Sequence, residues 1–407
     1  MTLGFSAAIS KVVDGPVTES SPPSPTAPNT SAAWRARGVL LIGGDPKDTA
    51  SLVQGMVQCA SPVAPLISIT ASSEQGVCSP NPEGYVQVWL GPDAPGIAVE
   101  AIAPEAEVEA GDSGPPGSIR SFHVHATQHE LGRAVQALLR RLPPEYAVVC
   151  RSRDLRTTLE PDVYLLSCQP SGAIEAPEAL DHVDQVLPWH RDAPRLDFSA
   201  LSFLGHARRW CFRHKAAAIV LAGGRSSRMG TDKARLQIDG IPLLHRIVDA
   251  LRPHFDAIAV SARSTRGFLG LDVPVIADLI ADSGPLAALH ASLRASQYDA
   301  NLVVACDNPE VNLDLALRLL RASRGVEAVV PRSGRQVDPL FAVYRRQVIP
   351  HIESLLEGGR LSVRALLERC ETRWLELPAN EMPKNLNTRI ELEAYLHQRV
   401  VNPSRQS

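Results

Sequence analysis

Residues 216–234 read AAAIVLAGGRSSRMGTDKA: an apolar run, Ala216 to Leu221, meets the glycine pair Gly223-Gly224 and then Arg225, Arg228 and Lys233. Six apolar residues followed by glycines read as a buried strand that ends in a loop. Glycine lets a backbone approach a ligand closely and leaves its N–H groups free to face phosphate oxygens. Three cations in so short a loop suit a triphosphate, whose charge needs compensation in a low-dielectric cleft. No GK[ST] closes the loop, so it is not a Walker A element, and it is not GxGxxG either. A basic surface turn after a strand remains the plainer alternative.

Working outward, a β-α-β rhythm continues from this strand. Further buried-strand candidates are Ala257 to Val260, Val273 to Ile276, Leu302 to Ala305 and Glu327 to Val330. Helical patterns lie between them at Leu243 to Leu251, Pro285 to Ala295 and Leu313 to Ala322. Strand alternating with helix predicts an α/β domain with a doubly wound, Rossmann-like sheet sandwiched by helices over 216–400.

The whole string LAGGRSSRMGTDK resembles the signature LAGGxSxRMGxDK of the molybdenum cofactor guanylyltransferases, through Leu221, Ala222, Gly223, Gly224, Ser226, Arg228, Met229, Gly230, Asp232 and Lys233. Later elements are similar and in the same order, as far as about Tyr395. Asp278 precedes Gly284-Pro285-Leu286, and Ala305-Cys306-Asp307-Asn308-Pro309 matches CDxP. Asp338 to Tyr344 reads DPLFAVY, and Asn385 to Thr388 reads NLNT.

The resemblance implies GTP as co-substrate, Mg²⁺ as cofactor and the phosphate of molybdopterin as attacking group. It makes Arg228, Lys233 and Asp307 catalytic, with Asp307 also the metal ligand. Leu221, Ala222, Gly223, Gly224, Lys233, Ser261, Asp278, Gly284, Pro285, Asn385 and Asn387 become nucleotide or acceptor contacts. Cap or turn roles stand beside several of these: Asp282 or Ser283 as an N-cap, Asp307 in a turn, and Asn387-Thr388 capping a helix. Gly359, Arg360, Ser362 and Arg364 form a basic turn that could meet a pterin phosphate.

One departure is Ser261, where the guanylyl pattern has Asn; serine lacks the paired donor and acceptor of an amide. The double glycine resembles the guanylyl branch, whereas cytidylyl enzymes more often read Ala-Gly there. Two alternatives stay open: a cytidylyl or sugar-phosphate nucleotidyltransferase, and a noncatalytic protein that binds the cofactor and delivers it to a molybdoenzyme or its chaperone.

The chain has 407 residues, enough for two domains. Residues 1–35 are expected to be a disordered tail, because Val17 to Ala33 is rich in Pro, Ser and Thr and poor in large apolar residues. A smaller α/β domain is expected over 36–195 and a linker over 196–215. Strands are expected at Gly38 to Ile42, Val86 to Leu90, Ala147 to Cys150 and Val163 to Ser167, with helices at Thr49 to Gln58 and His129 to Leu142. Gly91 to Gly117 reads as a surface loop.

Gly43 to Thr49 (GGDPKDT) sits where a phosphate loop would, but Pro46 removes an N–H and no Walker motif is present. This half weakly resembles a degenerate MobB-type GTP-binding domain. His123, His125 and His129 in HVHATQH read as structural or solvated histidines on a strand-to-helix turn.

A net charge of −3 gives no reason to expect nucleic-acid or anionic-membrane binding, and no 18-residue apolar run exists to span a bilayer. Seven cysteines without a CxxC pair argue against a disulfide framework and for a cytoplasmic location.

Overall fold

A computed structural model of the chain describes residues 34–44, 48–60, 64–73, 87–90, 119–126, 131–142, 145–152, 154–167, 182–190, 193–223, 237–263, 271–277, 284–386, 390–391, 393–395 and 397. They divide into two compact units, one of Met1–Ala179 with Val183–Phe212 and one of Leu180–His182 with Arg213–Ser407. No helix among the described residues is long and apolar enough to cross a membrane.

The first unit carries β1 (Trp34–Gly43), β2 (Leu66–Ser73), β3 (Gln87–Leu90), β4 (Ile119–Ala126), β5 (Ala147–Arg151), β6 (Leu159–Ser167) and β7 (Gln185–Leu187), with helices α1 (Ala50–Ala60) and α2 (Leu131–Arg141). They form one sheet in the order β3-β4-β2-β5-β1-β6-β7. Every neighbouring pair is parallel except β3 with β4. A parallel strand is covered on both faces, so its run is apolar throughout. Val39 and Leu41 accordingly pack into one core with Leu131, Val135 and Leu138, while Leu40 and Ile42 pack into another with Leu52 and Met56.

Two antiparallel pairs follow: β8 (Trp189–His190) with β9 (Ala193–Pro194), and β10 (Leu201–Leu204) with β11 (Arg209–Phe212). Much of the stretch expected as a linker therefore belongs to the first unit. Leu201, Phe203, Trp210 and Phe212 are buried in its core, and Trp210 Nε1 donates to the Val148 carbonyl at 3.0 Å. Asp162, on β6, holds the pair in place: its carboxylate accepts from the amides of Gly38 (2.7 Å) and Trp210 (3.1 Å) and lies 3.3 Å from Arg209 Nε. One further expectation shifts and one holds. Trp34 and Arg35, expected in the tail, open β1; His123 and His125 lie in β4, two residues apart as the shared strand face expected of them requires.

The second unit carries β12 (His214–Leu221), β13 (Gln237–Ile238), β14 (Ile241–Pro242), β15 (Phe255–Ala262), β16 (Val275–Ala277), β17 (Ala300–Ala305), β18 (Ala328–Ser333), β19 (Gln336–Val337), β20 (Phe341–Arg345) and β21 (Thr372–Glu376). Its helices are α3 (Leu243–Leu251), α4 (Gly284–Ala295), α5 (Leu313–Ala322), α6 (Ile349–Glu357) and α7 (Val363–Leu367). The main sheet runs β16-β15-β12-β17-β20-β18-β19, with β21 pairing β18. Strands β16, β15, β12 and β17 are mutually parallel; β20 runs against both β17 and β18.

Side chains alternate across this sheet as the two-residue period of a strand requires. Ala218 and Val220 face a core with Leu244, Ile247 and Leu251 of α3 and Leu315 and Leu319 of α5. Ile219 and Leu221 face another with Leu286 and Leu289 of α4, Ile352 of α6 and Leu366 of α7. Helices on both faces make this the Rossmann-like α/β sandwich that the β-α-β rhythm predicts. Both helices with amphipathic runs at 243–251 and 313–322 have the predicted bounds.

Candidate active site

The chain leaves β12, crosses to β15 and β16 on one side, and returns to place β17 on the other side of β12. That reversal opens a crevice beyond the carboxyl ends of β12 and β17, where open α/β sheets hold their ligands. Leu221, the last residue of β12, is in register with Ser261 of β15 and Ala305 of β17. The backbone is fastened on both sides: Ala222 donates to the Ser261 carbonyl at 2.7 Å, and Cys306 donates to the Leu221 carbonyl at 3.0 Å. Gly223 therefore begins its loop from a fixed point, and Arg263 Nε donates to the Gly223 carbonyl at 3.1 Å.

Asp307 follows β17 by two residues, so its carboxylate stands at the lip of the same crevice. Its carbonyl accepts from the Leu386 amide at 2.8 Å, which brings the chain near 385 to this strand end. Asn385 Nδ2 donates to Asp338 Oδ2 at 3.1 Å, and the Leu340 amide donates to Asp338 Oδ1 at 3.1 Å. Asp338 sits just before β20, whose Phe341 is paired with Val304 of β17. Burial pushes the Asp338 carboxyl above the ordinary carboxylate range, its bonds to Asn385 and Leu340 pull it down, and the charge of Asp307 adds to the rise. Two carboxylates thus feel each other at one strand end.

On the far side of β12, β16 leads to α4. Gly284 opens this helix with φ +73°, a left-handed conformation that favours glycine, and Pro285 follows at a position where a missing N–H costs nothing. A helix N-terminus at the carboxyl edge of the sheet favours negative charge through its free N–H groups.

The model of the MobA-like NTP transferase domain matches residues 218–374. The probable molybdenum cofactor guanylyltransferase of Pelotomaculum thermopropionicum is 38% identical over 149 residues, which is 37% of this chain and 73% of that protein. The chain belongs to the molybdenum cofactor guanylyltransferase family. The molybdenum cofactor guanylyltransferase of Vibrio cholerae is 31% identical over 183 residues, covering 44% of this chain and 89% of that one. Among solved structures, molybdopterin-guanine dinucleotide biosynthesis protein A of Archaeoglobus fulgidus is similar over 46% of this chain and 99% of its own, at 22% identity and a TM-score of 0.41.

The family's expected contacts fall into two groups. Leu221, Ala222, Gly223, Ser261, Asp307 and Asn385 gather at the carboxyl ends of β12, β15 and β17, and Gly284 and Pro285 open the helix after β16. Gly224, Arg228, Lys233, Asp278 and Asn387 lie outside the described residues, as does Asp282-Ser283. Ser261 is buried, and its backbone carbonyl anchors Ala222. Arg360, read as a possible phosphate contact, is exposed and lies 3.6 Å from Glu368. Ser362 is the N-cap of α7 without a side-chain capping bond.

Two residues escaped the sequence reading. Arg263 lies just past the expected strand, and nothing in its spacing ties it to Gly223. Asp338 opens DPLFAVY, and an acid directly before Pro and a strand reads as a turn residue, which it also is.

In the first unit, Gly43 and Gly44 have a local reason to be glycine. A Cβ on Gly43 would stand 2.5 Å from the Tyr164 hydroxyl, and one on Gly44 would stand 2.5 Å from the Ser167 carbonyl. Gly44 also has φ +116°. Close packing on β6 accounts for the pair without a phosphate. Residues 45–47 and His129 lie outside the described residues.

Proposed function

We propose that the second unit transfers GMP from GTP to the terminal phosphate of molybdopterin, with or without molybdenum bound, releasing pyrophosphate. The supporting observation is that Gly223 and Asp307 each lie two residues past the register pair Leu221–Ala305 that ends β12 and β17 at the switch point, where Cys306 donates to the Leu221 carbonyl. A backbone loop on one strand end and a carboxylate on the next is a triphosphate cradle opposite a cation site.

The residues present suit Mg²⁺. Asp307 and Asp338 offer hard oxygen donors close enough for their charges to interact, and a hard cation relieves that repulsion. Asp307 would hold the ion, which when bound would neutralise phosphate oxygens. The chain's own residues would do the rest. Backbone N–H groups of the Gly223-Gly224 loop would hold the β and γ phosphates, and Arg228 and Lys233 would balance the charge of departing pyrophosphate. Asp278, Asn387 and the N-terminus of α4 would contact nucleotide or acceptor.

No protein nucleophile is needed. The acceptor phosphate is largely ionised at neutral pH, with a second pKa near about 6. It attacks the α-phosphorus in line while the bond to the β-phosphate oxygen breaks, and pyrophosphate carries the electron pair away. Catalysis is then positioning plus charge compensation.

The Gly223-Gly224 pair favours GTP over CTP, and the product is expected to pass to a molybdoenzyme or its chaperone in the cytoplasm. A transferase domain over 216–400 is the boundary that fits this reading. Incubating the protein with GTP, Mg²⁺ and molybdopterin, and repeating it with CTP, tests the activity and the base together. Asp307→Asn should lower turnover by about 100-fold or more with folding intact. Turnover equal to the parent would overturn the assignment.

A further inference from the structure

Glu327, His351 and Cys370 come together at the edge of the second unit's sheet opposite Leu221 and Asp307. Glu327 directly precedes β18, whose Ala328 is in register with Tyr344 of β20, itself paired with Asn301 near the start of β17. His351 lies in the first turn of α6, and Cys370 precedes β21. Their ligand atoms all fall within 4.8 Å of one another. Two of the three are held by main-chain bonds: Glu327 Oε2 accepts from the Glu371 amide at 2.8 Å, and Cys370 donates its amide to the Leu366 carbonyl at 3.1 Å. This leaves Glu327 Oε1 facing His351 Nε2 at 3.4 Å.

We propose that Glu327, His351 and Cys370 form a binding site for a zinc-class divalent ion, with water as the fourth ligand. In a tetrahedral zinc site with metal–ligand distances of about 2.0 to 2.1 Å, an oxygen and a nitrogen donor stand roughly 3.3 Å apart. The His351–Glu327 separation is already close to that spacing. A thiolate with an imidazole suits Zn²⁺ or Co²⁺ and is a poor set for Mg²⁺, so the site would not compete for the ion at Asp307. His351 and Glu327 are partly exposed, which gives the ion an entry path and room for water.

Binding replaces the Cys370 S–H bond with a metal–sulfur bond and releases one proton, leaving the carboxylate, thiolate and dication with no net charge. Burial, reinforced by the Glu327 charge, pushes the free Cys370 thiol up to about 12. A bare thiolate is thus disfavoured, and metal uptake should strengthen as pH rises. The ion would tie α6 to the entries of β18 and β21, three segments far apart in sequence.

The test is titration of the full chain with Co²⁺, then displacement by Zn²⁺. A thiolate-to-cobalt charge-transfer band is expected, and Cys370→Ser should abolish it although six other cysteines remain. His351→Ala and Glu327→Gln, which keep the thiol, should weaken Zn²⁺ binding by about tenfold or more. Zn²⁺ should also raise the thermal midpoint of the parent and leave that of Cys370→Ser unmoved. A missing band in the parent, a band surviving Cys370→Ser, or unchanged zinc affinity in both other variants would overturn the proposal. The readout does not depend on the transferase reaction.

Discussion

Asn385 donates its side-chain amide to Asp338 at 3.1 Å, and the next residue, Leu386, donates its backbone amide to the Asp307 carbonyl at 2.8 Å. Two adjacent residues thus hold the strand-end cluster, Asp338 through its carboxylate and Asp307 through its main chain. The bond to Asn385 pulls the raised Asp338 carboxyl down, so removing it should raise that group further. Asn385→Ala is expected to cut kcat/KM with GTP by about 10- to 100-fold, the range for a hydrogen bond to a charged group. The acidic limb of the pH–rate profile should move to higher pH. A profile that keeps its shape while activity falls would show that Asn385 acts elsewhere.

Arg263 restrains the other wall of the crevice through the Gly223 carbonyl. It is exposed, so the bond contributes modestly, on the order of 1 kcal/mol. Arg263→Ala should therefore raise KM for GTP by roughly three- to tenfold while kcat holds. Equal losses in kcat alone would place Arg263 in the chemical step.

The sheet of the second unit was legible because its central strands are unbroken apolar runs between helical patterns, and local periodicity suffices for those. The position of Asp307 was legible for a related reason, since it follows a central strand by two residues, whereas its role came only from the resemblance of Cys306-Asp307-Asn308-Pro309 to CDxP. Asp338 and Arg263 were not, because their contacts join residues 47 and 40 positions apart through single side chains. The β10–β11 pair was hidden more thoroughly. Arg208, Arg209 and Arg213 make its sequence look like a solvated linker, and only the buried Asp162, some 47 residues earlier, reveals why a basic strand can sit on the core. Strand β2 was missed because its serines and threonine break the apolar run in LISITASS.

Gly44 offers a test of the first unit. With φ +116° and a would-be Cβ 2.5 Å from the Ser167 carbonyl, any side chain there must move the backbone of β6. Gly44→Ala should destabilise by about 2 to 3 kcal/mol, combining left-handed strain with overpacking. Tryptophan fluorescence during urea unfolding is a suitable probe, since Trp34, Trp89, Trp189 and Trp210 belong to this unit and only Trp374 to the other. An unchanged midpoint would mean that the close approach of Gly44 to Ser167 relaxes at little cost.

Asp162 makes the stability of the same unit depend on pH in an unusual direction. Burial raises its carboxyl to about 6, and this outweighs the lowering by Arg209 and by the amides of Gly38 and Trp210. The folded state therefore holds this proton more tightly than the unfolded chain, whose carboxyl titrates near 3.8. Between those values the folded form binds more protons, so stability falls as pH rises from about 4 to about 6 and levels off above. A shift of this size corresponds to something on the order of 3 kcal/mol. Asp162→Asn cannot ionise, so the variant should lack this component of the fall while losing part of the bonding to β11. Subtracting its urea-unfolding curve from the parent's across pH isolates the effect. A difference that declines through pH 4 to 6 supports the buried carboxyl, and one that climbs would mean that Arg209 and the two amides dominate and hold Asp162 ionised.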